Sequence, residues 1–169
     1  FIRPSASIGD REFDELVGGS LGWNQLCVVP YSRTKDGVTL TASEDRSTLT
    51  LNGTDTSSAN SWIQFNETIR PQANHVWYID KGSNSDLYGI NNDNSGISVG
   101  LTSRYTIGKT NGPSKVLYLF YGYGTTFDNL VIRPQFIDLT TLFGSTIADY
   151  IYSLEQATAD AGVAWVKKY

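Results

Sequence analysis

Apolar and polar residues alternate with a period of two along much of the chain, a pattern typical of antiparallel strands that bury one face. The clearest case is a hairpin predicted at 38–43 (VTLTAS) and 48–52 (TLTLN). Residues 13–26 predict two short strands around a Gly-Gly turn. Further strands, separated by clusters of Gly, Asn and Ser, are predicted at 62–66, 75–80, 97–101, 103–107, 115–121 and 128–136. Many short strands without intervening helices favour a mainly β fold over 1–137, an antiparallel two-sheet β-sandwich that is jelly-roll-like.

The hydrophobic period lengthens to that of a helix after Ile137. Asp138 is the predicted N-terminal cap of a short helix, LTTLF, that ends at Gly144. Ser145 is the predicted cap of the next helix. The apolar stripe of that helix, at spacings of i, i+3, i+4 and i+7, consists of Ile147, Tyr150, Ile151 and Leu154.

A last helix is predicted to begin at Thr158, as its cap, and to run through Trp165, although Gly162 weakens this prediction. Asp160 near its start and Lys167-Lys168 at its end match the helix dipole.

Residues 138–169 are therefore expected to form a helical tail that packs on the sandwich or links it to a next domain. The sandwich and the tail are expected to be one structural unit. Because the chain contains no Met, even at its first position, we expect it to be a piece of a longer protein.

Composition narrows the range of partners. The formal net charge is −4, which argues against nucleic acid and against an anionic membrane surface, since both need a basic face. No apolar run approaches the ~18–20 residues of a membrane span, so no membrane insertion is expected. Cys27 is the single cysteine, which excludes an intrachain disulfide.

The sequence offers little for catalysis, and we expect no enzyme. His75 is the only histidine and is expected to be a strand residue bonded to its neighbours. The carboxylates that could form a hydrolytic pair lie in turns or short strands: Glu12, Asp14, Glu15, Glu44 and Asp45. The stretch 92–96 (NDNSG) is similar to a calcium loop, but the later glutamate of such a loop is missing. A polar turn is therefore favoured, and no metal ligand is assigned.

The best candidate site lies in WIQFN at 62–66. Strand parity places Trp62, Gln64 and Asn66 on one face, and Ile63 and Phe65 on the other. If the second face points into the core, an indole ring lies outside beside two amides, which is what a sugar platform requires. The alternative is that the helical tail or a neighbouring loop covers Trp62.

Two tyrosines are second candidates for ligand binding. Tyr121 and Tyr123 lie beside glycines in YGYG at 121–124, at the end of a predicted strand. This is expected to be an exposed rim position. Packing in the core or in a turn is the alternative for both.

Three stretches carry a resemblance to a known class of protein: IRPSASIGDREFDELVGGSLGWNQL, LTLNGT and DNLVIRPQFIDLTTLFGSTIADYIYSLEQATADAGVAWVKKY. They resemble modules of tail proteins from bacteriophages and prophages of gut Firmicutes. The resemblance implies a carbohydrate-binding-module-like jelly roll in a tail-tip, receptor-binding or minor structural protein. It implies a location in the virion tail or outside the cell, after synthesis in the bacterial cytoplasm. It assigns no ligand residues and no cofactor, although such sandwiches often hold a structural calcium.

Two functions follow as expectations. The first is a non-catalytic module that binds a bacterial cell-surface glycan. The alternative is a structural spacer or assembly domain whose partners are other tail-protein domains or subunits.

Overall fold

The computed structural model describes residues 32–44, 48–65, 72–91, 97–112 and 116–168. The described strands are β1 (Ser32–Lys35), β2 (Val38–Ala42), β3 (Leu49–Thr54), β4 (Ser61–Gln64), β5 (Val76–Asp80), β6 (Gly89–Asn91), β7 (Ser98–Val99), β8 (Tyr105–Lys109), β9 (Tyr118–Tyr121), β10 (Thr126–Ile132) and β11 (Gln135–Asp138). The described helices are α1 (Leu139–Phe143), α2 (Ser145–Ala157) and α3 (Ala161–Lys168).

All of these strands pair in antiparallel fashion. They form sheet A in the order β1-β2-β3-β10, sheet B in the order β4-β9-β6-β7, and sheet C in the order β11-β5-β8. A mainly β, antiparallel fold consistent with a β-sandwich is thus confirmed, with the described strands divided among three sheets. The jelly-roll connectivity stays a prediction.

The hairpin predicted from the strongest alternation is β2 and β3. Leu40 lies opposite Leu51, and Ala42 lies opposite Leu49. All four side chains are buried, while Thr41, which lies between Leu40 and Ala42, is exposed. The strands predicted at 13–26 lie outside the described residues.

One predicted strand, 128–136, is two strands in the structure. Sheet A contains β10 and sheet C contains β11, so the chain changes sheet at Arg133-Pro134. Pro134 has no N–H to donate to a ladder, and the N–H of Arg133 bonds to the carbonyl of Gly82 instead. The short strands β1 and β6 were not predicted.

Strand β5 lies between two apolar clusters, and all five of its residues are buried. Trp77 and Ile79 belong to the larger apolar cluster, which is shared with sheets A and B. Val76 and Tyr78 belong to a second cluster with the helices. The helical residues 139–168 therefore cover the outer face of sheet C.

Two features of the short helix α1 are as predicted. The Asp138 carboxylate accepts the N–H of Thr141 at 3.0 Å and so caps the helix. Gly144 ends it with a φ of +83°, a conformation that favours glycine.

The prediction that Ser145 caps α2 is wrong. Ser145 is the first residue of the helix rather than its cap, and Gly144 precedes it without a side-chain hydrogen bond. The buried stripe is also rotated from the predicted one. Tyr150 is 54% exposed, and Ala148 is buried beside Ile151.

Thr158 does not cap α3, because it directly follows α2 and its N–H bonds to Leu154. Three N–H groups at the start of α3 bond instead to the carboxylate of Glu155 in α2; they belong to Asp160, Gly162 and Val163. A carboxylate at a helix N-terminus also suits the helix dipole. The cap of α3 thus comes from the neighbouring helix.

Candidate functional site

The outer face of sheet B carries a group of aromatic and amide side chains, which we call the aromatic face. The alternate residues Ile63, Ile90 and Leu119 are buried in the core, so the residues between them point outward. The outward side chains of the aromatic face are Trp62 and Gln64 of β4, Tyr118 and Phe120 of β9, and Asn91 of β6.

Strand pairing sets these side chains in two rows across the sheet. Trp62 lies opposite Phe120, and Gln64 lies opposite Tyr118. Asn91 lies opposite Tyr118 on the other side of β9. Residues opposite each other on one face are in contact distance, so each row combines an aromatic ring with a neighbour on the next strand.

Trp62 is the most exposed ring of these rows, with 44% of its surface accessible. Ile63 and Phe65 are buried and Trp62 is exposed, so the parity predicted for WIQFN is confirmed over its described residues, 62–65. The ring of Tyr118 lies 5.8 Å from that of Trp62, between centroids, at a tilt of 54°. Three aromatic rings on one outward face form a surface on which a sugar ring can stack.

Glycine makes room for the third ring. A Cβ atom placed on Gly89 would lie 2.4 Å from Cζ of Phe120. Gly89 is the residue opposite Phe120 on β6, so the ring of Phe120 lies over the bare backbone of the adjacent strand. A larger residue at position 89 would lift this ring off the sheet.

Strand β1 adds two cations beside β4. The Lys35 ammonium lies 3.5 Å from the ring centroid of Trp62, in a cation–π contact. Arg33 donates from Nη1 to the main-chain carbonyl of Gln64 at 3.4 Å. Among the described residues, the cation over Trp62 thus comes from β1 rather than from the helices, and the indole keeps a large exposed fraction.

The remaining site predictions have different outcomes. Asn66 lies outside the described residues, and Gln64 is half-buried on the predicted face. Tyr123 is exposed, as expected of a rim residue. The prediction that Tyr121 is exposed is wrong, because strand parity turns its side chain into the core, where its ring packs edge-on against Phe127 at 5.3 Å.

A polar cluster lies around the buried carboxylate of Asp55. The Asp55 carboxylate accepts hydrogen bonds from the hydroxyls of Ser57 and Ser61 and from the N–H of Gly124. Burial would raise the pKa of Asp55, but these hydrogen bonds outweigh it and hold the pKa below its ordinary value. Ser61 also contacts the carboxylate of Asp36 at 3.2 Å, so the cluster ties the β1–β2 turn to β4.

His75 lies directly before β5, and its Nδ1 is 2.7 Å from the carboxylate of Asp138. That carboxylate also accepts from both the N–H and the hydroxyl of Thr141, so it serves to cap α1. His75 is thus bonded to its neighbours as expected, but it precedes the strand in which it was predicted.

Metal-binding groups of three or more His, Cys, Asp or Glu do not occur within the described ranges. The stretch 92–96, with its partial similarity to a calcium loop, lies outside those ranges. Among the described helices, none is long and apolar enough to cross a membrane.

Sequence reasoning missed Tyr118, Phe120 and Lys35. The sequence pattern could have identified the two aromatics as outward-facing, because they alternate with Leu117 and Leu119 in the same way that Trp62 alternates with Ile63. No such signal exists for Lys35, whose position beside Trp62 depends on how β1 packs against β4.

Comparison of the chain with protein-family models, with curated proteins and with solved structures gives no match.

Proposed function

We propose that this protein is a non-catalytic β-sandwich module that binds a saccharide on its aromatic face. The observation that carries the proposal is the alignment of Trp62, Tyr118 and Phe120 on one outward sheet face, with the amides of Gln64 and Asn91 on either side of Tyr118. Its biological setting would be the phage or prophage tail that the sequence resembles, and its ligand a bacterial cell-surface glycan.

The chemistry of such a face suits a pyranose. The apolar C–H side of the sugar covers an aromatic ring and removes both from water. Amide groups offer donors and acceptors to the hydroxyls at the edge of the sugar. Each hydrogen bond contributes about 1 kcal/mol net, so a single site of this kind binds in roughly the millimolar to micromolar range. Several copies on one particle would raise the avidity without new contacts.

The first prediction concerns the exposed indole. Trp62→Ala removes the most accessible stacking ring and is expected to weaken saccharide binding by about five- to thirtyfold, since ring stacking and the area it buries contribute about 1–2 kcal/mol. Binding is measured on an array of bacterial polysaccharides and then by calorimetry with the best ligand.

The matched control is Tyr150→Ala, which removes an exposed aromatic residue from α2, on the helical side of the molecule. It is expected to leave binding unchanged. Equal binding by the wild type and Trp62→Ala would contradict the proposal. Absence of glycan binding, together with self-association that Trp62→Ala abolishes, would instead show that the aromatic face joins copies of this chain, in line with the structural alternative.

A further inference from the structure

We infer that the saccharide bound on the aromatic face is anionic and that Lys35 recognises its negative group. This inference rests on the proposed function and adds the chemical class of the ligand. The cation that carries it is the Lys35 ammonium, which lies directly over the ring of Trp62.

The Lys35 ammonium is held by the face of the Trp62 indole, 3.5 Å from the centroid. A ring face attracts the charge but uses few of the three N–H donors, so the ammonium can still donate to an acceptor above the face. None of the ion pairs between described residues involves Lys35. The cation is therefore oriented by an aromatic ring and keeps donors for an anion.

Strand β1 carries a second cation, Arg33, on the same face as Lys35. Arg33 and Lys35 lie two residues apart, and they pair with the buried Leu40 and Val38 of β2. Residues opposite each other in an antiparallel pair share one face, so both long side chains point toward sheet B rather than toward solvent. Lys35 reaches Trp62, and Arg33 reaches the main chain of Gln64.

The positive charge of Arg33 and Lys35 beside the aromatic face supports an anionic ligand. The chain has a formal net charge of −4, yet the residues that β1 brings to the aromatic face are both cationic. A neutral sugar needs no cation, and it must also compete with the ammonium for the covered side of the indole. An acidic sugar accepts a charge-assisted hydrogen bond from that ammonium while its ring lies on the exposed part of the indole and on the neighbouring aromatic side chains. Carboxylate-bearing and phosphate-bearing glycans share this chemistry.

The test compares three oligosaccharides matched in length: a neutral one, its uronic acid counterpart and a phosphorylated one. Affinities are measured by calorimetry for the wild type, for Lys35→Gln and for the control Lys109→Gln. Lys109 is also a partly exposed lysine, but its ammonium pairs with Asp149 on the helical side.

The wild type is expected to bind at least one of the two acidic ligands about tenfold more tightly than the neutral one, and 0.5 M salt is expected to reduce this preference. Lys35→Gln is expected to lose the preference and to bind the neutral ligand at least as well as the wild type, because the indole face becomes free. Lys109→Gln is expected to behave as the wild type. The acidic ligand that binds, uronate or phosphate, identifies the source of the charge.

Equal affinity of the wild type for neutral and acidic ligands would overturn this inference and leave the proposed function standing. So would a preference for acidic ligands that survives in Lys35→Gln. Failure of all three ligands and of the polysaccharide array would overturn the proposed function itself.

Discussion

At the scale of single residues, two buried tyrosines differ in how their hydroxyls are satisfied. The hydroxyl of Tyr88 donates to the carbonyl of Lys81 and contacts Ser83. The hydroxyl of Tyr121 is buried and has no hydrogen-bond partner among the described residues. Burial raises the pKa of both phenols further above neutral pH, where both are neutral. The same substitution is therefore expected to have opposite effects at the two positions.

Tyr121→Phe is expected to leave the free energy of unfolding unchanged or to raise it by up to about 1 kcal/mol, because it removes a polar group that loses water on folding and gains no partner. Tyr88→Phe is expected to lower it by about 1–2 kcal/mol, since the carbonyl of Lys81 loses its donor. Urea denaturation at pH 7 measures both values. A loss at Tyr121 as large as that at Tyr88 would contradict this prediction.

At the scale of elements, the contact between α2 and α3 depends on Gly162. A Cβ atom at this position would lie 2.7 Å from the carbonyl oxygen of Ile151 and 3.0 Å from the side chain of Glu155. Glu155 is also the residue that caps α3. The glycine that weakens the helix prediction from sequence is thus the residue that allows the two helices to approach and the cap to form.

Gly162→Ala is expected to lower the free energy of unfolding by up to about 2 kcal/mol. The helix gains up to about 1 kcal/mol from replacing a glycine, but the overlap with a neighbouring backbone costs about 1–3 kcal/mol. Urea denaturation of the variant measures the net change. The matched control is Gly100→Ala, where an added Cβ meets nothing within 4 Å, and no loss is expected there. Stabilisation by Gly162→Ala would show that the helices can separate without cost.

At the scale of the whole molecule, the helices complete the core of the β body. Ile151, Val163 and Val166 are buried in one cluster with Tyr78 and Ile107 of sheet C. Burying an aliphatic side chain contributes about 1.5–3 kcal/mol, so these three helical residues together contribute roughly 5–9 kcal/mol. The net stability of a domain is about 5–15 kcal/mol, which is of the same size.

Truncation after Gly144 is therefore expected to unfold the protein or to leave a state without fixed packing. The near-ultraviolet circular dichroism of the aromatic residues should be lost, and a dye that binds exposed apolar surface should bind. A truncated chain that keeps the near-ultraviolet spectrum and a cooperative urea transition would show that the helices serve an interface instead.

Much of this architecture was predictable because it depends on contacts close in sequence. Alternation identified the β2–β3 hairpin, and the Asp138 cap and the Gly144 stop involve residues within a few positions of each other. The same parity placed Trp62 outside and Ile63 inside. It would also have placed Tyr121 inside, since that residue alternates with Phe120; nearby glycines were a poorer guide to exposure than strand parity.

The sequence by itself determined the strand period, the side of each strand that is apolar and the ends of α1, because backbone geometry and local capping decide these features. Only the tertiary structure decided that Pro134 moves the chain to another sheet, that Glu155 caps α3, and that Lys35 lies over Trp62. These contacts join elements whose relative positions follow from burying the two core clusters together. The candidate site combines both kinds of information: its rings follow from parity, and its charge follows from packing.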